Sequence, residues 1–119
     1  MPDTDVPKFD EGGEYADGNE VEVLLDNLTY DILYNMSADS VFAEDENLRK
    51  AIAYAIDREG LNTGAFNGNG AAVKDFANAT YPDYNKEWDG EDYFDYNIDT
   101  AKDYLAKSSY NGQSLRLMY

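Results

Sequence analysis

The sequence contains no cysteine and no histidine. Without a thiolate there is no disulfide, no iron–sulfur cluster, no Cys-based zinc site and no cysteine nucleophile. Without an imidazole, neither a Ser-His-Asp system nor the usual His-containing zinc or non-haem iron site can be built. Carboxylates, lysines, tyrosines and hydroxyls are what remain for catalysis, and no cofactor is expected. Positive charge is also scarce: nine Lys and Arg stand against 25 Asp and Glu, a net charge of −16 at pH 7. Such a surface repels phosphate, which argues against nucleic acid as a partner, and it repels an anionic membrane surface. No run approaches the roughly 18 apolar residues that a membrane span requires. Met1 leads into Pro-Asp-Thr-Asp and not into a basic and then an apolar segment, so no signal peptide is expected within this sequence.

What is present suits one ordinary domain or a piece of a larger one: 119 residues, 43% hydrophobic and 14% aromatic. Acidic charge is concentrated early. Residues 1–31 hold ten acids against Lys8 alone, a net of −9. Residues 1–20 add Pro2, Pro7, Gly12, Gly13 and Gly18 to few apolar side chains, so a solvated, partly mobile leader is expected there.

Two alternating runs follow, Val21-Val23-Leu25 and Tyr30-Ile32-Tyr34, with Asp26-Asn27 as a plausible turn; both predict strands. Asp45 then predicts the start of a helix, and Leu48, Ala51, Ile52, Ala55 and Ile56 fall on one face of it. Asp57 predicts the cap of a shorter helix carrying Leu61, Ala65 and Phe66, ended by Asn67-Gly68-Asn69-Gly70. Residues 71–96 are irregular and rich in Asp, Asn and Tyr, which predicts a long ordered loop anchored by its rings. Asn97 predicts the cap of a third helix with Ile98, Ala101, Leu105 and Ser108 on one face and an Asp103–Lys107 pair at the surface. After Tyr110-Asn111-Gly112, Leu115, Leu117 and Tyr119 alternate as a last strand, inside which the chain stops; an excised segment is expected. The 45–58 helix is expected to be the most buried element, packed through Leu48, Ile52 and Ile56 on strands 29–35 and 114–119.

Short motifs carry little. Gly68-Asn69-Gly70 starts like a dinucleotide fingerprint but follows a helix and has Val73 in place of the third glycine. Asp95, Asn97 and Asp99 have calcium-loop spacing, but Thr100 and Ala106 occupy the positions that need Gly and Glu. Asp83, Asn85 and Glu87 fail in the same way, with Trp88 at the sixth position. Asn27, Asn35 and Asn78 head glycosylation sequons, which arise readily by chance in an Asn-rich chain. Tyr supplies 11 residues, and Tyr81, Tyr84, Tyr93 and Tyr96 lie in the irregular segment, where anchoring outweighs ligand stacking. With 25 acids, many carboxylate pairs suit glycoside hydrolysis and none stands out.

Longer blocks are more specific. Residues 30–59 place Tyr34-Asn35 at a strand end, then Phe42, then Asp45, Arg49, Ala51, Ile52, Ala55, Ile56, Asp57 and Arg58 in a helix. Downstream, Tyr96, Asn97, Ile98, Ala101, Lys102 and Leu105 precede Tyr110, Gly112, Leu115 and Leu117. In order and spacing these blocks resemble the middle of the bacterial family 5 solute-binding proteins, the peptide, dipeptide and nickel receptors of ABC importers. Val41-Phe42 and Asn97-Ile98 stand where the family has Pro-Phe and Asp-Pro, and residues 1–20 match nothing in that pattern.

The resemblance implies an α/β or α+β fold: part of the second lobe of a periplasmic-binding-protein-like architecture, three helices on a few strands, spanning residues 21–119. It implies a non-enzymatic receptor, extracellular, periplasmic or a cell-surface lipoprotein, that takes a peptide-like solute to ABC-importer membrane subunits. No catalytic or metal residue is implied, and no ligand-binding residue can be carried over. Asp57 reads as a helix cap and Arg49 as a surface or intramolecular partner. A lobe cut from its parent is expected to expose strand edges and self-associate. The rival classes are a carboxylate-based hydrolase and an acidic structural module.

Overall fold

The computed structural model describes residues 3–22, 24, 28–73, 81–82, 84–91 and 93–118. Among them lie four α-helices, α1 (Val41–Glu44), α2 (Glu46–Ala55), α3 (Arg58–Phe66) and α4 (Ile98–Lys107), with 3-10 turns at Asp3–Lys8 and Lys86–Gly90. The chain divides into two compact units. Unit 1 joins Met1–Thr29 with Asp57–Asp89, and unit 2 joins Tyr30–Ile56 with Gly90–Tyr119.

Unit 2 is built on α2 and α4. Asp45 has non-helical dihedrals (φ −94°, ψ 81°) and its carboxylate accepts the Leu48 amide at 2.8 Å, which satisfies a donor that the first turn leaves open. Asn97 does the same for α4 through the Thr100 amide at 2.9 Å. The two helices run antiparallel and are tied at both ends. At one end Ser109 binds Asp45 and the Asn47 side-chain amide donates to the Lys107 carbonyl at 3.3 Å. At the other, the Asn97 backbone N–H donates to the Tyr54 carbonyl at 2.9 Å.

Between these ties lies the core: Leu48, Ala51 and Ala101, each 5% exposed or less. Two alanines at the contact let the helices approach closely, and burial of Leu48 contributes about 1.5–3 kcal/mol. Aromatic rings extend the contact. Tyr54 and Tyr104 stack with centroids 5.7 Å apart, and Phe94 meets Tyr54 edge-on at 5.3 Å. Phe94 sits at φ +61°, in the left-handed region that bulky residues rarely adopt. The Lys107 ammonium lies 5.2 Å from the Tyr104 ring centre.

Unit 1 holds α3. Asp57 caps it by accepting the Gly60 amide at 2.9 Å, and Asn67 at φ 51° followed by Gly68 at φ 78° ends it, as the sequence predicts. The 3-10 turn at Asp3–Lys8 is closed by the Tyr15 amide on the Lys8 carbonyl at 2.7 Å. A Cβ at Gly13 would lie 2.5 Å from the carbonyl oxygens of Pro7 and Lys8. Phe9 packs on Tyr15 and Tyr84 on Trp88. No described residue of this unit is buried.

Several expectations need correction. Among the described residues there is no strand, so the α/β class is not realised in them, and α2 packs on α4 and not on strands 29–35 and 114–119. The 21–25 run and the Asp26-Asn27 turn lie partly outside the described residues, as does Tyr119. Alternation marks a segment that can line a half-buried surface, but a strand also needs a neighbouring backbone to complete its ladder. Among the described residues no such ladder forms, and Leu33, Leu117 and Met118 are each at least 75% exposed. Ile52 and Ile56 are half-buried and Ala55 is exposed; among the described elements α2 packs chiefly on α4. On α4, Ala101 alone of the expected face is buried; Ile98 and Leu105 are not. The described ion pair of α4 is Lys102–Asp99 at 3.6 Å, while Lys107 turns to Tyr104.

Candidate functional site

The densest polar arrangement in unit 2 surrounds Asp45. This residue ends α1 and starts α2, so its carboxylate is held at a joint between helices. One oxygen accepts the Leu48 amide; the other accepts the Ser109 amide at 2.7 Å and the Ser109 hydroxyl at 2.8 Å. Burial favours the neutral acid, but the bonds from Leu48 and Ser109, with the nearby Arg49 charge, outweigh it and hold the carboxyl below its ordinary pKa.

Arg49, one turn into α2, reaches back to the C-terminal end of α1. Its guanidinium donates to the Phe42 carbonyl and, at 3.4 Å, to the Ala43 carbonyl. Tyr34 packs its ring on Phe42 at 5.2 Å and donates its hydroxyl to the Arg49 carbonyl at 3.3 Å. Burial raises the Tyr34 pKa, and the Arg49 charge offsets part of that rise. On the exposed side of α2, Glu46 and Lys50 pair at 2.7 Å, and their mutual bond lowers one pKa and raises the other.

Chemically this node is a joint. Ser109 donates its proton to a carboxylate whose depressed pKa makes it a poor base, and no imidazole or amine stands between them. Ser40 accepts the Phe42 amide at 3.3 Å and so caps α1.

An open groove of about 360 Å³ runs beside the node. Asn35, Ser40 and Ser114 supply polar groups, Phe42 and Leu115 apolar ones, and Arg116 the one charged side chain of the lining. Such a surface can hold a ligand by contact and hydrogen bonding; it contains no nucleophile–base pair.

The motifs set aside in the sequence have structural occupations. Asn62 clasps Gly70 with both ends of its amide, accepting from its N–H at 2.9 Å and donating to its carbonyl at 3.1 Å, which takes up an amide that a phosphate would need. Asn97 caps α4 and Asp99 meets Lys102, so neither is free for calcium. Asn85 accepts the Glu87 amide, and Asn35 the Ser37 amide. Asp83, Asn27 and Asn78 lie outside the described residues. Among the described residues no cluster of three acids could hold a metal ion. Tyr81 and Tyr84 belong to unit 1 and Tyr93 and Tyr96 to unit 2. Asp57 is the cap expected of it, and of the two roles open to Arg49, surface or intramolecular, it takes the intramolecular one. Sequence reasoning missed Ser109, whose only local signal is its place just after a helix.

The residues of this node lie within the two long blocks, Tyr30 to Glu59 and Tyr96 to Leu117. The profile of the bacterial extracellular solute-binding proteins, family 5, middle region, matches residues 2–119. The chain belongs to that family. No curated protein and no solved structure matches it. Family 5 solute-binding proteins work outside the membrane as the solute-capturing components of ABC importers, and their fold is periplasmic-binding-like. The match also takes in residues 2–20, whose spelling gave no sign of the family.

Proposed function

We propose that this chain is an internal piece of the receptor component of an ABC importer that captures an oligopeptide or a similarly sized solute. Residues 21–119 are part of its second α/β lobe, and residues 1–20 an acidic leader to it. The observation that carries this reading is the family match over residues 2–119. The node around Asp45 supports it, because Asp45, Arg49 and Ser109 act there as caps and ties within a scaffold. The parent is a periplasmic protein or a cell-surface lipoprotein that binds and closes around its ligand and breaks no bond. Exposed Leu33, Leu117 and Met118 favour self-association of the isolated chain, which sedimentation would detect.

Calorimetry against a mixed di- to pentapeptide library tests the reading in two arms. The protein encoded by the full reading frame should give saturable heats, and the 119-residue chain should give none. A cleft between lobes draws contacts from both, and each 1.4 kcal/mol lost is about tenfold in affinity. Micromolar heats from the short chain would place the site within it; hydrolysis of any peptide would overturn the receptor reading.

A further inference from the structure

The sequence holds three Asn-Gly pairs, Asn67-Gly68, Asn69-Gly70 and Asn111-Gly112. In such a pair the glycine backbone nitrogen can reach the carbonyl carbon of the preceding side-chain amide, with no Cβ to hinder it. Attack requires that nitrogen to release its proton, so an N–H held by an acceptor is protected and one open to water is not. The structure separates the three pairs on this point. Asn62 of α3 holds two of the glycines: its backbone carbonyl accepts the Gly68 N–H at 3.1 Å and its side-chain oxygen the Gly70 N–H at 2.9 Å. After α4 the situation is reversed. Gly112 is exposed, a Cβ on it would meet nothing within 4 Å, and its N–H has no acceptor among the described residues. The Gln113 side-chain oxygen takes the Asn111 N–H at 2.9 Å instead.

We propose that Asn111 is a site of spontaneous deamidation, and that Asn62 guards Asn67 and Asn69 against the same reaction. The Gly112 nitrogen passes its proton to hydroxide from the solvent and bonds to Cγ of Asn111. The Cγ–Nδ2 bond then breaks, and the side-chain nitrogen takes a proton from water and leaves as ammonia. Water adds to either carbonyl of the resulting cyclic imide and reopens it to aspartate or isoaspartate. Either product sets a new carboxylate two residues after Ser109, whose bonds to Asp45 tie the end of α4 to the start of α2. Having to open a neutral hydrogen bond first holds the attack back by about fivefold, so Asn67 and Asn69 lag behind Asn111.

Incubation of the 119-residue chain in mildly alkaline buffer, with peptide mapping by mass over time, tests this. Asn111 should convert first, to a mixture of aspartate and isoaspartate, and the other two should lag by about fivefold or more. In urea, where all three glycine amides meet water, the three rates should draw together. Asn62→Ala removes the side-chain oxygen but keeps the backbone carbonyl, so Asn69 should speed up by about fivefold and Asn67 by less. Asn62→Asp keeps an acceptor for Gly70 and should leave Asn69 slow, which separates a lost hydrogen bond from a loosened α3. Asn67 or Asn69 converting as fast as Asn111 in the folded chain, an unequal order that persists in urea, or equal Asn69 rates in the two variants would each overturn the proposal.

Discussion

Ser109 gives both its backbone N–H and its hydroxyl to one oxygen of Asp45, at 2.7 and 2.8 Å, across 64 residues of sequence. The same carboxylate starts α2, so capping of one helix and docking of the chain after another depend on a single side chain. Asp45→Ala should cost about 2–3 kcal/mol, combining the loss of a cap with that of bonds to a charged group. Ser109→Ala removes the hydroxyl alone and should cost about 1 kcal/mol. Urea midpoints at fixed salt measure both. Equal costs would mean that the cap contributes nothing.

Acid should expose the same carboxylate. Its folded pKa is lowered, so its stabilisation is fully present above the unfolded value of about 3.9 and is lost as the pH falls through the lower folded value. Helical ellipticity followed from pH 5 downward at constant salt should therefore show a shallower acid limb in Asp45→Asn. An unchanged slope would assign acid unfolding to other groups.

Leu48 is 2% exposed, whereas Ile52, one turn later, is half-buried. Leu48→Ala should cost about 2–5 kcal/mol and Ile52→Ala less. Ala101→Leu should cost about 1–3 kcal/mol, because the close approach of α2 and α4 leaves no room for it. A thermal series ranking Ile52 above Leu48 would show that α2 has a second partner.

Arg49 satisfies the carbonyls of Phe42 and Ala43 at the end of α1. Arg49→Lys keeps the charge but loses the planar fork, so it should fail to restore what Arg49→Ala removes. The readout is amide exchange at residues 41–44, which should quicken in both variants. Full protection in the lysine variant would make charge sufficient.

Helix starts were legible in the sequence because a cap is local: Asp45, Asp57 and Asn97 each precede a periodic run and each accepts an amide three residues on. The stop at Asn67-Gly68 was legible for the same reason. Strands were not, because alternation in 30–35 and 115–119 specifies a face but not the neighbour that would complete it. The buried set was half legible: periodicity named Leu48, Ala51 and Ala101, yet could not tell that α2 packs chiefly on α4 instead of on a sheet. The tie to Ser109 was invisible, since nothing local marks a hydroxyl for a carboxylate 64 residues away.

The hydrogen bond from Asn97 to Tyr54 brings together the two points where the chain leaves the helix pair and returns to it. Residues 57–89 are, in topological terms, a guest inserted between two flanks of unit 2 that already touch. Residues 57–89 should therefore be replaceable by a short glycine–serine linker without separating α2 from α4.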